Sequence, residues 1–197
     1  MSSTENISSR RRGPALEQAL LDAAWDELNA VGYKQLTFDN VALRAGTSKP
    51  VLYRRWPNRL ELVRAALRAH QPVFSGAVPN TGSLRGDVLT LLEDMAHAIS
   101  GPRQDIIWGM AADAINDERQ YALLSSEIAQ INQTTMRAIL EHAEARGELT
   151  VTGLSDRIIT LPIDLLRHEM LMTGGPASKA AIKQIVDDIF LPLLAKR

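Results

Sequence analysis

Three observations predict an all-α fold for this chain of 197 residues. Apolar residues recur at intervals of three and four almost throughout. Segments with the apolar–polar alternation of a strand are nearly absent. The interruptions fall at Gly, Pro, Asn, Ser and Thr, the residues that start and stop helices.

The elements follow in order. Pro14 suits the first turn of a helix whose apolar face carries Leu16, Leu20, Ala24, Leu28 and Val31, and Gly32 closes it. Thr37 is a good N-cap for a short second helix with Asp39 in its first turn and Phe38, Val41, Ala42 and Ala45 on its buried face. Gly46 breaks it. Thr47 or Ser48 can cap a third helix, where Pro50 is tolerated in the first turn, running to about Trp56-Pro57. Asn58 can cap a fourth, through Leu60, Leu62, Val63, Ala66 and Leu67 to about Gln71. The stretch PVFSGAVPNTGS, Pro72 to Ser83, reads as a loop. Helices are then expected at about 84–99, 103–116, 118–146, 155–173 and 178–194, about nine in all. Pro162 and Pro192 are expected to kink or end theirs. The domain layout expected is a basic arm at 1–13, a three-helix unit at 14–57, a connecting helix at 58–71 and a helical body at 84–197.

Composition narrows the function. The hydrophobic share of 45% is that of a folded protein. Cysteine is absent, which excludes disulfides, thiolate catalysis and Cys-type zinc sites. No apolar run reaches the ~18 residues of a membrane helix. The N-terminal cations precede no apolar stretch, so a secretory signal is not expected and the cytoplasm is the expected location. The net charge of −1 is unevenly spread. Residues 1–70 hold 11 Lys+Arg against 7 Asp+Glu, and the remainder 11 against 16, so a basic head sits on an acidic body. Only the head is expected to meet a polyanion.

Two short helices joined at Ala45-Gly46-Thr47-Ser48 make a helix-turn-helix, whose second helix can enter the DNA major groove. Neither is long enough to be stable alone, so Phe38, Val41, Leu52 and Trp56 are expected to brace them against the first and fourth helices. The face left exposed would carry Thr47, Ser48, Lys49, Val51, Tyr53 and Arg54, groups suited to phosphates and base edges. Thr37, Arg44, Pro50 and Arg55 complete the candidate set. Arg59, beside a free helix N-terminus, adds a phosphate site. Arg10-Arg11-Arg12 is either a solvated tail or an arm reaching DNA beside the main site.

These residues carry a resemblance. TFDNVALRAGTSKPVLYRRWPNRLELV, Thr37 to Val63, resembles the N-terminal DNA-binding domain of the TetR family of bacterial transcriptional regulators. The chain supplies Thr37, Val41-Ala42, Ala45-Gly46, Ser48, Leu52-Tyr53, Trp56 and Leu60 of that family's pattern. Thr47 stands where Val is usual and Arg59 where Lys is usual. ALLDAAWDELNAVGY, Ala19 to Tyr33, is similar to the family's first helix, so the match covers about residues 15–65. ARGELT, LMTGGPAS and IVDDIF resemble one subgroup of its C-terminal domains. The resemblance implies a body that binds a small molecule and dimerises through its last two helices.

The expected function is a repressor that binds double-stranded operator DNA as a homodimer and is released by a small effector. A regulator without an effector, or an activator, is the alternative. The effector is expected to be mostly apolar with a polar handle, because IIWGMAADAIN holds a single charge. Trp108, Met110, His142, Asp164 and His168 are its candidate contacts. Ile158, Leu165, Leu166, Ile182, Ile185, Ile189, Phe190 and Leu193 supply more apolar surface than one core would take, and are the candidate dimer interface. The four histidines are scattered, with no close pair of the metal-binding kind, so no metal or other cofactor is expected. No nucleophile–base set, phosphate loop or Glu-x-x-His pair suggests catalysis, so no catalytic residue is assigned. The acidic body argues against an architectural DNA-coating protein.

Overall fold

The computed structural model describes residues 13–70, 78–100 and 102–195. The Arg10–Arg12 arm therefore lies outside the described residues, as does the first half of the Pro72–Ser83 loop. Among the described residues the chain is helical with no strand. Contacts divide it into two compact units, 1–73 and 74–197. None of the described helices is long and apolar enough to cross a membrane.

The head contains α1 (Pro14–Gln35), α2 (Phe38–Ala45), α3 (Lys49–Tyr53) and α4 (Arg59–His70). Helical geometry in α1 is interrupted at Gly32, whose φ of 76° lies in a region that glycine enters without a Cβ penalty. α4 packs along α1 rather than merely leading away from the head. Leu20, Ala24 and Leu28 of α1 and Leu62, Val63 and Ala66 of α4 share the buried interior. The three-helix unit expected at 14–57 is thus a four-helix unit.

The body contains α5 (Leu84–Ala98), α6 (Pro102–Ile115), α7 (Glu118–Ala145) and α8 (Asp156–Thr173). α9 (Lys179–Gln184) then continues through a π-helical turn (Ile185–Phe190) into α10 (Leu191–Ala195). Leu92 of α5, Met136, Ile139 and Leu140 of α7, Ile159, Ile163 and Leu166 of α8 and Phe190 form one apolar core. Pro162 does not end α8, which runs on to Thr173. Pro192 does not end its helix either. The widened turn before it bonds Leu191 N–H to the Val186 carbonyl, five residues back, and so carries the helix past the point where the proline ring would clash.

A polar pin holds the entrance of α5 to the end of α7. Asp87 is wholly buried and accepts from the Thr81 N–H, from the Thr81 hydroxyl at 2.8 Å and from Arg146 Nη2 at 2.8 Å. Arg146 also reaches Glu148 and Asn80, and Glu148 accepts the Leu84 N–H at 2.8 Å. Gly86 is required beside it, because a Cβ there would lie 2.2 Å from the Thr81 hydroxyl. Burial pushes the Asp87 carboxyl up, but the Thr81 and Arg146 donors outweigh it and hold it below its ordinary value. The Leu84 N–H and Arg146 likewise hold Glu148 low.

Both depressed carboxyls stabilise the fold above their unfolded pKa values, and that contribution is lost as pH falls through the folded ones. Asp87→Ala leaves Arg146 and Thr81 without their acceptor, at a cost of about 3 kcal/mol and a drop in melting temperature of about 6–12 °C at neutral pH. Calorimetry should show the gap between parent and variant narrowing once the pH falls below the ordinary aspartate value of about 3.9, where the unfolded chain takes up its proton first, and closing only below the lowered value of the folded carboxyl.

Candidate nucleic-acid interface

The turn between α2 and α3 is built as glycine allows. Gly46 adopts the left-handed conformation (φ 65°, ψ 38°) and its N–H bonds back into α2, while Thr47 N–H reaches the Ala42 carbonyl at 2.9 Å. Thr37 caps α2, its hydroxyl accepting the Asn40 N–H at 3.2 Å. Ser48 occupies the N-cap position of α3, yet its hydroxyl makes no capping bond and is exposed. Leu52 and Trp56 are buried with Phe38 and Val41, as the bracing of two short helices requires.

The exposed face of α3 carries Lys49, Pro50 and Tyr53, flanked by Ser48 and by Arg54 at the C-cap. Tyr53 is 49% exposed and its ring stacks on Phe38 with centroids 4.4 Å apart. Lys49 donates to Asp39 Oδ2 at 2.8 Å and its ammonium lies 5.9 Å from the Tyr53 ring centre. The bond to Asp39 raises the Lys49 pKa, so the ammonium stays charged. Thr47 is half-buried in the turn. These groups present a cation, hydroxyls and an aromatic edge on one short helix, the set that recognises phosphates and base edges.

Four candidates are engaged within the head. Val51 is only 8% exposed and packs inward, because its position on α3 faces the bracing helices. Arg44 spends Nε and Nη2 on the buried carboxylate of Glu27, at 3.2 and 2.8 Å, and so ties α2 to α1. Arg55 Nη1 reaches back to the Val51 carbonyl at 3.4 Å. Arg59 does not stand beside a free helix end. Asn58 Oδ1 caps α4 by accepting the Glu61 N–H at 2.9 Å. The Arg59 guanidinium lies 4.5 Å over the buried Tyr33 ring and donates to the Lys34 carbonyl at 3.1 Å.

Two carboxylates now take roles that the sequence pattern does not show. Glu27 accepts from Asn40 Nδ2 as well as Arg44, at 2.9 Å, and sits among the apolar positions of α1. A carboxylate on the Leu20–Ala24–Leu28 stripe was the available signal. Asp39 could be found only through its partner on the next helix.

The effector candidates lie on three helices, α6, α7 and α8. Trp108 is half-buried and Met110 buried on α6, whose start is tied to the end of α8 by Gln104 Nε2 donating to the Gly174 carbonyl at 2.6 Å. His168, near that end of α8, is exposed. Asp164 already accepts from the Thr160 hydroxyl at 3.1 Å and from Arg167. His142 sits apart, one turn before Arg146 and hence beside the start of α5, with a buried Nδ1 that has no protein partner.

The dimer candidates divide as well. Leu166, Ile182, Ile185 and Phe190 lie in the protomer's own core. Ile158, Leu165 and Leu193 are half-buried and Ile189 is exposed, as are Leu171 and Met172 nearby on α8.

Comparison with known proteins agrees with this anatomy. Residues 20–66 match the family of bacterial regulatory proteins named for TetR, and residues 78–189 match the tetracycline repressor-like C-terminal domain. A DNA-binding transcriptional repressor, TetR, of Mycobacteroides abscessus is 34% identical over 187 residues, covering 93% of this chain and 96% of its own. An uncharacterized helix-turn-helix regulator of Mycobacterium tuberculosis is 31% identical over 181 residues, covering 91% of this chain and 88% of its own. The crystal structure of the TetR family transcription regulator SCO0332 shares the fold, with a TM-score of 0.66 at 23% identity over 89% of this chain and 96% of that one. A helix-turn-helix head, a helical body matched over most of its length and relatives aligned nearly end to end make the chain a member of the TetR family of bacterial DNA-binding transcriptional regulators, which are not enzymes.

Proposed function

We propose that the chain is a homodimeric repressor that binds a specific operator through α3 and its flanks and leaves it when a small, mostly apolar molecule enters the body. The observation that carries the reading is the exposed set Ser48, Lys49, Tyr53 and Arg54, held on a helix whose other side is fully bound into the head. The repressor of Mycobacteroides abscessus, similar over nearly the whole chain, supports the sign of the regulation. Two heads would meet adjacent major grooves about 34–36 Å apart. An effector that binds better to a body conformation with another head spacing lowers operator affinity by that difference in affinity alone.

The body is far larger than dimerisation alone needs, which supports a ligand site within it. His142, with its unpartnered Nδ1, is the polar group on which a handle could settle.

The test starts from DNA fragments flanking the chain's own gene. Binding by gel shift should exceed binding to random DNA by at least about a thousandfold at fixed salt. Deleting the gene should raise transcription from the bound promoter. A fall instead would make the protein an activator. A thermal-shift ligand screen should then yield a compound that raises the melting temperature and lowers operator affinity together.

A further inference from the structure

Asp39 is an exposed carboxylate next to the surface assigned to DNA, where a negative charge opposes binding. Its partner is Lys49 of the recognition helix, at 2.8 Å. The side chains of both are well exposed, 67% for Asp39 and 44% for Lys49, and an exposed pair of this kind adds little to fold stability. Nor is the carboxylate needed to cap α2, because the Thr37 hydroxyl does that. What the pair does is fix the direction of the lysine. Between Asp39 and the Tyr53 ring the ammonium is held at both sides, and Tyr53 is in turn held by Phe38. An ammonium has three N–H donors, so one is spent on Asp39 and the others remain for DNA.

We infer that Asp39 is a specificity-determining residue of DNA recognition: by holding Lys49 it turns a mobile cation, able to pair with any phosphate, into an aimed and charge-compensated donor. A free lysine on a four-carbon stem would settle on phosphates whatever the sequence, and each phosphate neutralised strengthens binding to all DNA alike. A lysine kept in place adds little on random sequence and binds well only where the correct acceptor meets it. Asp39 thus lowers the background against which the operator must be distinguished. The inference rests on the placement of Lys49 at the DNA surface proposed above.

The experiment compares full-length parent, D39N, K49Q and the double variant. The probes are a random 30-bp duplex and a duplex of equal length enriched by the parent protein from a randomised library. Anisotropy titrations are run over a series of KCl concentrations, with circular dichroism confirming the fold. D39N should bind the random duplex about fivefold more tightly at low salt, and its log–log salt slope should steepen by about one unit. Affinity for the enriched duplex should not rise with it, so discrimination falls by about the same factor. In the K49Q background the Asp39 substitution should change random-duplex binding less than twofold. Unchanged or weaker binding of D39N to the random duplex overturns the inference, as does a gain that persists undiminished without Lys49. A K49Q protein that still binds the enriched duplex as tightly as the parent would instead remove the placement of Lys49 on which it rests.

Discussion

Tyr53→Ala or Lys49→Ala is expected to weaken operator binding by about 10–100-fold each, while the protein stays folded and retains its oligomeric state. α3 is five residues long and offers few exposed side chains, so each one removed is a large share of the reading surface. The tyrosine has two roles that can be separated. Its ring stacks on Phe38 and anchors α3 to α2, and its hydroxyl is the polar end of an exposed side chain. Tyr53→Phe keeps the stack and deletes only the hydroxyl. If the hydroxyl bonds a phosphate, the phenylalanine variant should lose most of the affinity that the alanine variant loses, with an unchanged melting temperature. If the ring matters only as a brace, the phenylalanine variant should bind as the parent does. Lys49→Ala removes a charge as well as a donor, and should lower binding to the operator more than to random DNA if the lysine is held for base recognition. Parent-like operator affinity in both alanine variants would dismiss α3 as the recognition helix.

The fold was legible because its signals are local. Thr37 caps α2, Gly46 takes the left-handed turn and Pro14 opens α1, each through its own side chain or lack of one. The exposed members of the recognition set were legible for the same reason, since the short helix follows directly from the turn. What escaped the sequence depends on partners far along the chain. Arg44 reads as a cation facing only solvent, but Glu27, seventeen residues earlier, accepts from its Nε and Nη2. Arg59 reads as a phosphate ligand until α4 is laid against α1 and the guanidinium covers Tyr33. Val51 reads as exposed when α3 is considered alone, but packing against other helices turns it inward. Lys49 keeps its exposure, yet its donor bond to Asp39 changes what exposure means. Cations near a helix-turn-helix serve tertiary anchoring as well, because that anchoring uses the same residue types.

The C-terminal helix misled for a different reason, and its correction makes the second large prediction. Ile182, Ile185, Ile189, Phe190 and Leu193 all read as candidates for a partner copy, because they offer more apolar surface than one core would take. The π-helical turn at Ile185–Phe190 inserts extra backbone. The buried stripe then runs Ile182, Val186, Phe190 at steps of four, with Leu194 packed against the same core. Ile189 is pushed outward to 42% exposure, next to a Phe190 that is wholly buried. Adjacent residues should therefore respond in opposite ways to the same charge. Phe190→Asp places a carboxylate in the apolar core of the body and should cost more than about 4 kcal/mol, enough to leave the body largely unfolded. Ile189→Asp should leave the melting temperature of the isolated protomer nearly unchanged. If the exposed Ile189, with the half-buried Ile158, Leu165 and Leu193, joins two copies, that variant should sediment as a folded monomer at micromolar concentration and lose operator binding, because each protomer holds only one half-site. A parent protein that is itself monomeric, or an Ile189→Asp variant that remains dimeric and binds the operator as before, would place the interface elsewhere. A folded, stable Phe190→Asp variant would contradict the core as described, whichever surface joins the copies.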